Sequence, residues 1–142
     1  MNAITLDQAN AAITAALAHG RQLGLKPLSV AILDPGGHLV AFQRGDGASL
    51  LRPQIAVGKA SGALALGISS RRIGEMAEDR PAFVGALGGI AAHGIVPAAG
   101  GIIIVDAQDQ VIGAIGVTGD TSDNDEACAL AALAATRLAA QH

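Results

Sequence analysis

The chain has 142 residues, 51% hydrophobic and 15% charged, with a formal net charge of -3. That length suits a single domain over 1–142, able to bury about two-thirds of its unfolded surface. Its nine Lys and Arg are scattered, and two Phe with no Tyr or Trp supply no stacking platform, which excludes nucleic acid as a partner.

So apolar a balance, rich in Ala and Gly, predicts that some apolar surface is covered by subunit contacts, making the protein a homo-oligomer. At the N-terminus, Met1-Asn-Ala-Ile-Thr-Leu-Asp7 lacks the charged start and apolar stretch of a signal peptide. No apolar run reaches membrane-spanning length, so the expectation is a cytoplasmic protein with no membrane partner. Thr5 with Gln8 gives a capping box and starts a helix that runs to about His19. Ala9, Ile13, Ala16 and Leu17 form its apolar stripe, and Gly20 and Gly24 stop it.

Leu28 to Asp34 and His38 to Arg44 flank Pro35-Gly36-Gly37 as a β-hairpin. After the loop Gly45-Asp46-Gly47-Ala48, Ser49 and Arg52-Pro53 mark the start of a long helix through about Leu66. Ile55, Lys59, Gly62 and Ala63 share one side of that helix, which sets Lys59 beside small, apolar neighbours. Ser69 or Ser70 caps a short helix ending near Glu78, and Pro81 opens another through Leu87. A glycine-rich connection then leads to a second hairpin, Ile102 to Asp106 and Gln110 to Val117, with the same Asp-plus-three-residue turn as the first. Because the segments between them do not repeat, one answer to one turn problem explains the match better than a duplication.

The stretch Gly113 to Asp125 organises the rest. Gly113, Gly116 and Gly119 recur every third residue in an apolar strand, where ligand or backbone can approach closely. Asp123 and Glu126 have capping-box spacing, and a helix from about Asn124 to Ala140 is so dominated by Ala that burial on two faces is expected.

Several sites are excluded. Gly58-Lys59 lacks the upstream glycine of a phosphate loop, and the glycines at 113, 116 and 119 miss the dinucleotide spacing. Asp120, Asp123, Asp125 and Glu126 lack the pattern of a calcium loop, and no nucleophile elbow is present. The single Cys128 makes no internal disulfide, and no Cys/His pair has zinc spacing, so no metal site is expected.

Taken in order, Val30-Ala-Ile-Leu-Asp34 with Gly37, Arg44-Gly-Asp-Gly-Ala48, Gly58-Lys59-Ala60, Gly100-Gly101 and Gly113-Ala-Ile-Gly-Val-Thr-Gly119 followed by Asp123 resemble the GlcG/HbpS-like family. This is the heme-degrading-domain or DUF336 group, which includes the C-terminal domain of PduO-type proteins. The resemblance implies an α/β (α+β) domain built on an antiparallel sheet of about five strands flanked by helices, assembled into homo-oligomers, octamers included. Two departures are visible: Gly101 leads into Ile102-Ile103-Ile104 where the family often has Gly-Gly-Val-Pro, and Thr118 stands where Ser is common.

The resemblance further implies a small-molecule ligand, with heme or a related tetrapyrrole as cofactor. An axial ligand would come from a His, and His19 and His93, each near a helix end, are the candidates; His38 and His142 read as a strand's first residue and a chain end. The expected pocket lies between sheet and long helix, lined by Arg44, Asp46, Lys59, Gly100, Gly101, Gly116, Val117 and Thr118. The alternative is an enzyme of isomerase, tautomerase or hydratase type acting on a small oxo- or dicarboxylic acid in that pocket. There Arg44 would hold a carboxylate, and Lys59 and Asp46 would move protons. The bland readings are a loop ion pair for Arg44 and Asp46 and a packed helix-edge charge for Lys59.

Overall fold

Five helices and five strands follow one another in the computed structural model, which describes residues 2–142. They are α1 (Leu6–Gln22), β1 (Ser29–Leu33), β2 (Leu39–Arg44), α2 (Arg52–Leu66), α3 (Ser70–Asp79), α4 (Pro81–Ile90), β3 (Gly101–Val105), β4 (Val111–Thr118), α5 (Ser122–Ala135) and β5 (Ala139–Ala140). The strands form one sheet in the order β2-β1-β4-β3-β5, every neighbouring pair antiparallel. This is the expected α+β architecture.

β1 and β3 are buried at every position, because helices cover both faces of the sheet. On one face Val30, Ile32, Ile102, Ile104, Ile115 and Val117 meet Ala12, Ile13 and Ala16 of α1 and Cys128, Ala129 and Leu133 of α5. On the other, α2 lays Ala60 and Ala63 over Leu33, Ala114, Ile103 and Val105. The seat of α2 is a row of small residues: Ala31 pairs with Gly116, which pairs with Gly101. A Cβ on Gly116 would run into the carbonyl oxygen of Ala56, and one on Gly101 into that of Lys59. The glycine run therefore admits a helix backbone.

The two hairpins share one device. Asp34 Oδ1 accepts from the Gly36 and His38 N–H groups at 2.9 and 3.0 Å, and Asp106 Oδ1 accepts from Gln108 and Gln110, both at 2.9 Å. In each turn the third residue after the Asp has positive φ, Gly37 at 83° and Asp109 at 60°.

Several boundaries need correction. α1 carries its capping box from Thr5 and Gln8 but continues past His19 to Gln22. Ser69, one of the two expected residues, caps α3, whereas α4 extends past Leu87 to Ile90. Thr121, not Asp123, caps α5, its hydroxyl accepting from Asn124 N–H at 3.2 Å. Asp123 and Glu126 instead bind Arg71 of α3. α5 also stops at Ala135: Arg137 turns the chain with φ 58°, and Ala139–Ala140 pair with β3 as an edge strand. Its burial is one-sided, since Leu130 is 42% exposed while Leu133 is 2% exposed.

Candidate functional site

Lys59 lies midway along α2 on the face that meets the sheet, and it is 2% exposed. Its ammonium donates to Val117 O at 3.0 Å and to Asp125 Oδ2 at 3.1 Å. Asp125, 1% exposed, spends its other oxygen on the Asp120 N–H at 2.9 Å. Desolvation is the dominant influence and holds the Lys59 ammonium below the ordinary lysine value, opposed by the attraction of Asp125. Gly100 and Gly101 lie against Lys59, Gly116 sits one turn along under Ala56, and Val117 supplies the carbonyl. The structure thus gathers Lys59, Gly100, Gly101, Gly116 and Val117 into close packing rather than around an open hollow.

Arg44 and Asp46 do not join them. Both are exposed, Arg44 at the end of the edge strand β2 and Asp46 in the following loop, where it borders a different hollow with Arg21 and Lys26. The expected convergence of Arg44, Asp46 and Lys59 in one pocket is therefore corrected. Arg44 sits in register with Ser29, on the strand beyond β1, while the small-residue row pulls Lys59 under the helix. Thr118 is buried, and its hydroxyl accepts from Arg52 Nη1 at 2.7 Å. Arg52 at the start of α2 and Asp125 are the residues that sequence reasoning missed. The available signal for Asp125 was its place on the stripe Asp125, Cys128, Ala129, Ala132, an acid where the helix is otherwise apolar and buried. Burial pushes the Cys128 thiol on that stripe up to about 11, so it stays protonated at neutral pH.

Of the two histidine candidates, His19 is half-buried in the last turn of α1, with its carbonyl accepting from Leu23 N–H at 3.1 Å. His93 is exposed in the connection after α4, and two hollows meet at it. One, of about 370 Å³, is walled by Pro53, Gln54 and Val57 on the first turns of α2. The second, of about 190 Å³, runs between Leu64 and Ala65 of α2 and the Pro35-Gly36-Gly37 turn. The segment carrying His93 is anchored on α2, because Ser61 Oγ donates to Gly94 O at 3.1 Å and Val96 packs over Gly58. His38, by contrast, is committed to Asp34 at 3.2 Å. Among the described residues no cluster of His, Cys, Asp and Glu could hold a metal ion. No described helix is long and apolar enough to cross a membrane.

Comparison with known proteins agrees with this fold. The family model described as "Haem degrading protein HbpS-like" matches residues 4–134. A solved PduOC:heme complex is 23% identical, with 99% of each chain covered and a TM-score of 0.87. HbpS is 29% identical over 95% of this chain and 91% of its own, with a TM-score of 0.82. The Klebsiella pneumoniae protein ORFY is 27% identical over 96% of this chain and 92% of its own, with a TM-score of 0.86. No curated protein matches.

Proposed function

The chain belongs to the family of HbpS-like haem degrading proteins, and we propose that it binds heme or a related tetrapyrrole at His93, acting as a homo-oligomer in the cytoplasm. The observation that carries this reading is the placement of His93, an exposed imidazole at the meeting of two hollows, one of them walled by Pro53 and Val57. Neutral imidazole is a common axial ligand for heme iron, and an apolar wall suits one face of the macrocycle. The residues present therefore fit the group on one side: His93 would ligate and Pro53, Gln54 and Val57 would pack. Bound heme would supply an iron centre able to take that nitrogen and exchange electrons. His19 lies next to the hollow that Leu17, Gly20 and Arg21 border but does not line it, and is the weaker of the two candidates.

The hollow is open, so a second subunit would have to cover the macrocycle's other face. Leu50 and Leu51, 85% and 62% exposed just before the Pro53 wall, are the apolar residues placed to take part in that contact. The similar PduOC structure is a complex with heme, the ligand we propose for this chain. Acid–base chemistry on a small oxo acid is not favoured, since Lys59 is paired in the core and stands apart from Arg44 and Asp46.

Titrating hemin into the native protein and the His93→Ala and His19→Ala variants tests the reading. The expected result is saturable binding, weakened at least about tenfold by His93→Ala and unchanged by His19→Ala. Equal affinity in all three proteins, or no saturable binding in any, would overturn it.

A further inference from the structure

Beyond the His93 hollows, a recess of about 190 Å³ is formed where the α1–β1 connector, the β2–α2 loop and the end of β4 meet. Lys26, Ser49, Arg52 and the glycines 47 and 119 line it. Arg52 is held rather than free to wander: its Nε donates to Ser49 Oγ at 3.1 Å and its Nη1 to Thr118 Oγ1 at 2.7 Å. A guanidinium has five N–H donors in a planar fork, so these two bonds leave one hydrogen on Nη1 and both on Nη2. Among the described residues neither Arg52 nor Lys26 has an acidic side chain within ion-pair distance.

One further feature favours negative charge there: the first turn of α2 carries no acid, so its dipole end is unscreened by any of its own side chains. Nearby acids limit how much charge the recess takes. Asp46 is in the loop beside Gly47, and Asp120 already accepts from the Lys26 N–H at 3.0 Å and the Asn124 amide at 2.8 Å.

We propose that Arg52, Lys26 and Ser49 form a binding site for a small organic carboxylate, independent of the His93 hollows. The free Arg52 edge offers two parallel N–H donors, the geometry a planar carboxylate matches, and Lys26 supplies the second charge. One carboxylate group brings a single negative charge into the recess where inorganic phosphate brings between one and two, so the local acids favour the carboxylate; phosphate shares the oxyanion chemistry and is the competitor to be tested.

Isothermal titration with succinate at low ionic strength, with inorganic phosphate and chloride in separate runs, tests the site. Native protein and the Arg52→Gln, Lys26→Ala and His93→Ala variants are compared. Succinate should bind native protein and His93→Ala alike, lose at least about tenfold in Lys26→Ala and more in Arg52→Gln, and outbind phosphate. Among the described residues the Lys26 side chain has no hydrogen-bond partner, so that variant tests the site even where Arg52→Gln loosens the fold. No heat at about 10 mM succinate, equal affinity in Lys26→Ala, or phosphate binding as tightly as succinate would each overturn the proposal.

Discussion

With Lys59 and Asp125 both almost wholly out of water, removing either charge strands the other. Asp125→Ala should destabilise the protein by about 3–5 kcal/mol, because it leaves a buried ammonium without its partner. The Lys59→Met, Asp125→Leu double variant should cost less than Asp125→Ala alone, since no lone charge remains. Urea denaturation of the three proteins checks both statements. Asp120 gives a pH signature: the Asn124 amide, then the Lys26 and Thr121 N–H groups, hold its carboxyl down at about 2. A carboxyl whose folded value lies below its unfolded value contributes stability that is full above the unfolded value and lost as pH falls through the folded one. The stability gap between native protein and Asp120→Asn should therefore be constant above about pH 4 and close towards pH 2. A gap independent of pH over that range would contradict it. Lys59 stood out in the sequence as a charge on a helix of small apolar residues, but its partner lies 66 positions away and is identifiable only once α2 and α5 are docked on the same sheet.

Among the elements, glycine divides into two kinds that the sequence does not separate. Gly116 lies under Ala56, so Gly116→Ala forces α2 away from β4 and should cost about 3 kcal/mol. Gly88 in α4 has open space around its missing side chain, so Gly88→Ala should stabilise by about 0.5–1 kcal/mol through helix propensity. Shifts in the urea midpoint of opposite sign would be the check. Element identity was legible because its causes are local: Thr5 and Gln8 closing a capping box, Pro53 and Pro81 opening helices, and Asp34 and Asp106 tying hairpin turns. The end of the chain was misread because Ala139 and Ala140 have no strand character of their own. They become a strand only where the open edge of β3 receives them. Asp123 and Glu126 had the spacing of a cap, yet the geometry of Arg71 on α3 drew both outward and Thr121 took the position.

At the scale of the whole molecule, helices cover both faces of the sheet, and the two His93 hollows and the Arg52 recess lie along α2 and the connections that cross it. The family fold and its order of glycine motifs were readable from the chain, but a site built from the α4–β3 connection and the first turns of α2 was not. Its residues become neighbours through the docking of Gly94 and Val96 on Ser61 and Gly58. If a second subunit covers the His93 hollow, Leu51→Asp, at a position 62% exposed in the single chain, should shift the protein to a smaller species in sedimentation and weaken hemin binding while leaving the fold intact. Unaltered sedimentation and affinity would remove Leu51 from that contact. The axial ligand itself is tested most directly by the absorption and electron paramagnetic resonance spectra of the hemin-loaded native protein and of His93→Ala with and without added imidazole. A native spectrum of a nitrogen-ligated heme, lost in His93→Ala and restored by imidazole, is the predicted result; a spectrum that His93→Ala leaves unchanged would contradict the account.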